Sequence, residues 1–162
     1  MRFIGIDPGI TRIGYGVIDY DKTLSLVEYG VIEISSRGDI DRLSELGRRF
    51  SELIKTTSPD VAGVEVLYFS KNQKTALSVS QARGVILYFL STLGISIKEY
   101  RPNHVKQTIT SYGASDKKAV ATMVKKILKI DKLSGYDDAS DALAIAITAA
   151  YSHGRFDFYR TS

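Results

Sequence analysis

The chain has 162 residues, of which 44% are hydrophobic and 25% charged, and this length and composition are typical of one soluble globular domain. It contains no cysteine, which excludes disulfides, thiolate zinc sites and a cysteine nucleophile. The net charge of +4 and the isoelectric point of about 9.2 favour a polyanionic partner.

The first part of the chain predicts a set of strands followed by one helix. Short apolar runs separated by turn residues predict three antiparallel strands, at residues 2–6, 14–20 and 24–34. A helical period over residues 39–57 then predicts an amphipathic helix. The apolar segment 60–66 predicts a strand that is buried on both faces.

The second part of the chain predicts three helices and one more strand. A long helix over residues 72–93 precedes a strand at 95–100. Residues 85–90 are apolar all round, so this half of the long helix is predicted to be buried. Two helices, at about 116–130 and 138–151, end the pattern.

The element order β-β-β-α-β-α-β-α-α predicts the α/β class, with a five-stranded mixed sheet flanked by helices on both faces. We expect one domain over residues 1–154 and a C-terminal tail over residues 155–162. The start lacks the layout of a signal peptide, and the longest apolar run is shorter than the roughly 20 residues that cross a bilayer. We therefore expect a soluble, cytoplasmic protein without a membrane partner.

Four acidic residues together suggest a metal site. Asp7 follows the first strand in an Asp-Pro-Gly sequence that is also a good turn. Glu65 lies in an apolar strand, where an unpaired carboxylate is costly to bury. Asp138 and Asp141 share one face at the start of a helix, where acids also cap backbone amides. Such oxygen ligands favour Mg²⁺, with Mn²⁺ as a substitute, and can hold up to two ions.

Basic and aromatic residues near these acids are candidates for binding nucleic acid. Lys117 lies at the edge of the apolar arc of its helix, and from there it either extends to solvent or reaches into a polar site. We favour the polar site, where it would bind a phosphate or stabilise its developing charge. Tyr68, followed by Lys71 and Lys74, can stack on an unpaired base, although one ring of the Tyr-Phe pair also suits the core.

Five motifs in order resemble the RuvC family of Holliday-junction resolvases, over residues 2 to about 151. They are Gly5-Ile6-Asp7-Pro8-Gly9 with Gly14-Tyr15-Gly16-Val17-Ile18; Val64-Glu65 followed by Lys71-Asn72; Gln81-Ala82-Arg83-Gly84; Val105-Lys106-Gln107; and the Asp138-Ala139-Ser140-Asp141 segment with its apolar continuation. The resemblance implies an RNase H-like fold, a homodimer with two active sites, and the RuvA–RuvB branch-migration complex as a partner.

The same resemblance implies roles for individual residues. Asp7, Glu65, Asp138 and Asp141 match the four metal-binding acids of the family, and with Lys117 they form the expected catalytic set. Tyr68 stands at an aromatic position that contacts the junction core, where the family often has Phe. The full set of expected DNA-binding residues is Tyr68, Lys71, Lys74, Arg83, Lys106, Lys117 and Lys118.

The expected function is resolution of four-way DNA junctions by paired symmetric nicks, in which a metal-activated water attacks the phosphodiester. A related RNase H-like nuclease that acts on RNA and a non-catalytic junction-binding protein are the alternatives. Actin-like ATPases also carry Gly-Ile-Asp-x-Gly in their first strands, but they need two such domains, which 162 residues cannot supply.

Overall fold

The computed structural model describes residues 1–66, 73–133, 135 and 137–157, with side chains throughout except at 73–75 and 154–157. Its strands are β1 (Arg2–Asp7), β2 (Arg12–Asp21), β3 (Thr23–Glu33), β4 (Val61–Glu65) and β5 (Ser96–Tyr100). Its helices are α1 (Asp39–Thr57), α2 (Gln73–Thr92), α3 (Pro102–Thr110), α4 (Lys117–Leu128) and α5 (Asp137–Asp157). Within the described ranges, no helix is long and apolar enough to cross a membrane.

The five strands form one mixed sheet in the order β3-β2-β1-β4-β5. The first three strands are antiparallel, whereas β4 is parallel to both β1 and β5, so the predicted pairing is confirmed. Ile6 of β1 pairs with Val64 of β4. Asp7 directly follows Ile6, and Glu65 directly follows Val64, so both acids lie at the same edge of the sheet on neighbouring strands.

Helices cover both faces of the sheet, which confirms the predicted α/β architecture. α1 and α2 pack on one face, where Ile4 and Ile6 of β1 belong to the core. α3, α4 and α5 pack on the other face, which Phe3 of β1 helps to bury. Because side chains alternate along a strand, Asp7 projects to the same face as Phe3 and lies below α5.

α5 approaches the sheet so closely that several positions below it require glycine, Gly5 and Gly14 among them. A Cβ atom added at Gly5 of β1 would collide with the carbonyl oxygen of Ala142, and one at Gly14 of β2 would collide with that of Asp138. These contacts are with backbone atoms, which cannot rotate away. The two glycines therefore let the first turns of α5, with their two acids, rest directly over the end of β1.

The sequence missed α3, which lies between β5 and α4. The helix has only nine residues, which is too short for a clear periodic pattern. Two signals were nevertheless present. Pro102 stands in the first turn, where its missing N–H is not needed, and Val105 and Ile109 form a buried pair one turn apart.

The predictions for α2 and α5 need correction. Ala82, Ile86 and Leu90 of α2 are buried, but Tyr88 is 64% exposed, so the second half of this helix is not buried all round. One face of α2 packs against the sheet and α1, and the other remains open. α5 continues to Asp157, beyond the predicted helix end at residue 151 and beyond the predicted start of the tail.

Candidate active site

The four predicted acidic ligands meet at one edge of the sheet, and Asp7 is the most perturbed of them. Burial, together with the charges of Glu65, Asp141 and Asp138, raises the pKa of Asp7 to about 8. Burial and the charge of Asp141 also raise the pKa of Glu65, against the opposing effect of its hydrogen bond with Asp7. The protonated Asp7 carboxyl therefore donates a hydrogen bond to Glu65.

Two cations contact the acids on α5. Lys117 Nζ donates a hydrogen bond to Asp141 Oδ2 over 2.9 Å, and this contact raises the pKa of Lys117. Arg12 Nε lies 3.6 Å from Asp138 Oδ2. Sequence reasoning missed Arg12, although the hairpin offered a signal: Asp7 pairs with Gly14, so residue 12 lies beyond the end of β1, beside the acids.

The donor set fits a hard divalent cation, although the acids stand in pairs. Among the residues described, no three His, Cys, Asp or Glu side chains converge closely enough to hold one ion together. Asp7 and Glu65 share a proton, while Asp141 and Asp138 are each next to a cation. Protons, lysine and arginine thus balance a negative cluster whose oxygen atoms suit Mg²⁺ or Mn²⁺.

A cleft of about 270 Å³ gives access to this cluster. Asp7, Glu65 and Asp141 form one part of its wall, and Lys106 and Lys117 form another. The rest is mainly apolar and consists of Pro102, Val105, Val120, Ala144 and Ile145. Such a wall limits the water around a bound group and strengthens the electrostatic interactions inside the cleft. Three carboxylates and two lysines therefore share one small space.

The structure gives different positions to the predicted DNA-binding residues. Lys106 of α3 and Lys117 of α4 line the cleft, and Lys118 is exposed in the first turn of α4. Three further predicted DNA contacts lie outside what the structure describes, namely Tyr68, Lys71 and the side chain of Lys74.

Arg83, also predicted to bind DNA, forms an ion pair with Glu99 instead of projecting into solvent. Its side chain is only 22% exposed and joins α2 to β5. The sequence could not show this contact, because 16 positions separate the two residues and they lie in different elements. In this arrangement Arg83 stabilises the packing of α2 on the sheet.

Comparison with known proteins gives consistent matches over nearly the whole chain. Residues 3–149 match the family model for crossover junction endodeoxyribonuclease RuvC. The RuvC protein of Finegoldia magna is 42% identical over 91% of this chain and 91% of its own length. The RuvC protein of Fusobacterium nucleatum is 43% identical over 100% of this chain and 87% of its own length. The structure of Thermus thermophilus RuvC in complex with Holliday junction substrate superposes with a TM-score of 0.88 and 31% identity, over 94% of each chain.

Proposed function

Because this chain belongs to the RuvC family of crossover junction endodeoxyribonucleases, we propose that its acidic cleft resolves four-way DNA junctions by hydrolysing one phosphodiester bond in each of two strands. The observation that carries this proposal is that Asp7, Glu65 and Asp141 share one cleft with Lys106 and Lys117. The similarity to the Thermus thermophilus protein, which is in complex with a Holliday junction, supports the same substrate here.

The acids would hold Mg²⁺, or Mn²⁺ in its place, with up to two ions per site. When bound, the ions supply the charge that activates water and stabilises the leaving oxygen. Asp7 must first lose the proton that it shares with Glu65, so that both carboxylates become available. Asp138 and Asp141 would complete the ligand set from α5, with Lys117 moving away from Asp141.

The two lysines of the cleft would bind the phosphate that is cut. Lys106 and Lys117 reach the cleft from different helices, so they can contact different oxygens of one phosphate. Lys117 lies next to the acids and is the better placed of the two to stabilise negative charge that develops during the reaction. The apolar wall formed by Val105, Val120 and Ile145 would strengthen this effect by limiting access of water.

A homodimer would account for paired nicks. Leu77 and Tyr88 on the open face of α2 are 63% and 64% exposed, and a groove of about 550 Å³ runs beside Tyr88 between α1 and α2. We propose that this face packs against a second copy, because a two-fold dimer presents two sites to two equivalent strands of a junction. The RuvA–RuvB complex, acting on the same DNA in the cytoplasm, is the further partner that family membership suggests.

The proposal can be tested with a neighbouring pair of acids on α5. Asp138 approaches Arg12, and its charge helps to raise the pKa of Asp7, whereas Asp137 is exposed and is not among the charges that raise this pKa. We expect wild type and Asp137→Asn to linearise a plasmid that carries a cruciform, using Mg²⁺. Asp138→Asn should bind the junction and cut it about a hundredfold more slowly, because metal ions contribute several kcal/mol of charge stabilisation.

Three outcomes would contradict the proposal. Equal cutting of linear duplex would indicate a general nuclease, and cutting of RNA without junction preference would indicate an RNA-processing enzyme. Binding without cutting by the wild type, with both Mg²⁺ and Mn²⁺, would indicate a junction-binding protein.

A further inference from the structure

The loop between α3 and α4, residues 111–116, joins two helices that line the cleft and carries an exposed aromatic side chain. α3 contributes Lys106 to the cleft wall, and α4 begins with Lys117. The loop therefore connects the two lysines that we expect to hold a phosphate. Tyr112 in this loop is 65% exposed. A single exposed tyrosine is common on protein surfaces, so its significance depends on how firmly it is held.

Gln107 fixes the loop on both sides of Tyr112. Its side-chain nitrogen donates a hydrogen bond to the carbonyl oxygen of Ser111 over 3.1 Å. Its side-chain oxygen accepts one from the backbone N–H of Gly113 over 3.0 Å. The backbone of Gly113 passes so close to Asn103 that a Cβ atom would crowd the carbonyl oxygen of Asn103. One side chain of α3 thus holds the residues before and after Tyr112.

The backbone groups of Tyr112 itself are also bound. Its N–H donates to Thr110 Oγ1 over 3.2 Å, and its carbonyl oxygen accepts from Ser115 Oγ over 2.7 Å. The hydroxyls of Thr110 and Ser115 are 2.7 Å apart and join the two contacts. The loop therefore presents the ring on a fixed backbone, and an aromatic side chain with few rotatable bonds loses little conformational entropy when it binds a partner.

We infer that Tyr112 stacks on a base or sugar of the DNA strand that Lys106 and Lys117 hold. An aromatic ring beside cations is the arrangement that binds unpaired nucleotides, because every base has a face on which a ring can stack. Bases at the crossover of a junction lack part of the stacking of a continuous duplex. This inference rests on the proposed function and adds a substrate contact outside the cleft itself.

The absence of tryptophan from the chain allows a direct test. The variant Tyr112→Trp carries one indole at the proposed contact, and Tyr151→Trp is the matched control. Tyr151 is 38% exposed and lies 13 positions after Asp138 in α5, which is about 20 Å along the helix. Saturation with a four-way junction in EDTA should protect the Tyr112→Trp indole from acrylamide quenching and leave that of Tyr151→Trp unchanged.

Binding affinity provides a second readout. Tyr112→Ala should weaken junction binding about fivefold to a hundredfold, the range expected for loss of one stacked base. The dependence of affinity on salt should stay the same, because no phosphate contact is lost. Tyr112→Phe keeps the ring and should bind like the wild type.

The two proposals fail in distinguishable ways. If wild type binds and cuts the junction, but the Tyr112→Trp indole remains accessible or Tyr112→Ala binds with unchanged affinity, the inference about Tyr112 is wrong and the proposed function stands. If wild type neither binds nor cuts the junction, both are wrong.

Discussion

The buried Asp7 carboxyl should make the metal-free protein less stable as the pH rises. Its pKa is about 8 in the folded protein, compared with an ordinary value of 3.8. Between pH 3.8 and about 8 the folded chain keeps a proton on Asp7 that the unfolded chain has lost. The free energy of unfolding is therefore highest below the unfolded pKa, and it falls as the pH rises through the folded pKa. One proton corresponds to about 1.4 kcal/mol per pH unit, or about 3 kcal/mol between about pH 5 and pH 7.

The variant Asp7→Asn tests this reasoning, because its amide can still donate a hydrogen bond to Glu65 but does not titrate. Urea unfolding in EDTA at several pH values should show that Asp7→Asn gains about 3 kcal/mol over the wild type between about pH 5 and pH 7. Asp131→Asn replaces an exposed acid outside the cleft lining and should parallel the wild type. Parallel curves for wild type and Asp7→Asn would refute the reasoning, since Asp7 would then hold no extra proton in the folded state.

Three further substitutions test the surroundings of the cleft. Lys117→Met should slow junction cleavage about a hundredfold, through loss of charge stabilisation. Lys126→Met, at an exposed position in the last turn of the same helix, should change the rate little; equal rates for the two variants would exclude the role assigned to Lys117. Arg83→Met should lower the free energy of unfolding by only about 1 kcal/mol, because its partner Glu99 is partly exposed and exposed ion pairs contribute little. A loss of junction affinity without loss of stability would instead make Arg83 a DNA contact. Gly14→Ala should cost about 1–3 kcal/mol in urea unfolding and weaken Mn²⁺ binding in calorimetry, because its methyl group would displace the start of α5; unchanged Mn²⁺ affinity would contradict this.

Local pattern was sufficient to predict the sheet and the position of the acids within it. Alternation and turn residues identify β1 to β3, and the apolar segment around Glu65 identifies a buried parallel strand. Because β1 and β4 are neighbouring parallel strands that end at one edge of the sheet, their pairing alone predicts that Asp7 and Glu65 lie close together. α3 was missed because nine residues contain only one clear apolar repeat, that of Val105 and Ile109.

Ion pairs between distant elements could not be predicted, because a single residue does not reveal its partner. Arg83, which belongs to the Gln81-Ala82-Arg83-Gly84 motif, was expected to contact DNA, but the structure pairs it with Glu99 on β5. Arg12 received no role from the sequence, although it approaches Asp138. The hydrogen bonds of Gln107 to Ser111 and Gly113, on either side of Tyr112, could not be predicted for the same reason, because they depend on how the chain turns after α3.

The division of the acids into two pairs follows from the elements that carry them. Asp138 and Asp141 stand in the first turns of α5, where the helix dipole favours negative charge and where Arg12 and Lys117 are in reach. Asp7 ends a strand, is largely enclosed and faces three other carboxylates, so it keeps a proton instead. A divalent cation would neutralise the charge that makes ionised Asp7 unfavourable. If Asp7 binds the proposed metal ion, the interaction that destabilises the metal-free fold at high pH is also the one that favours metal binding, and a substitution of Asp7 would change both properties together.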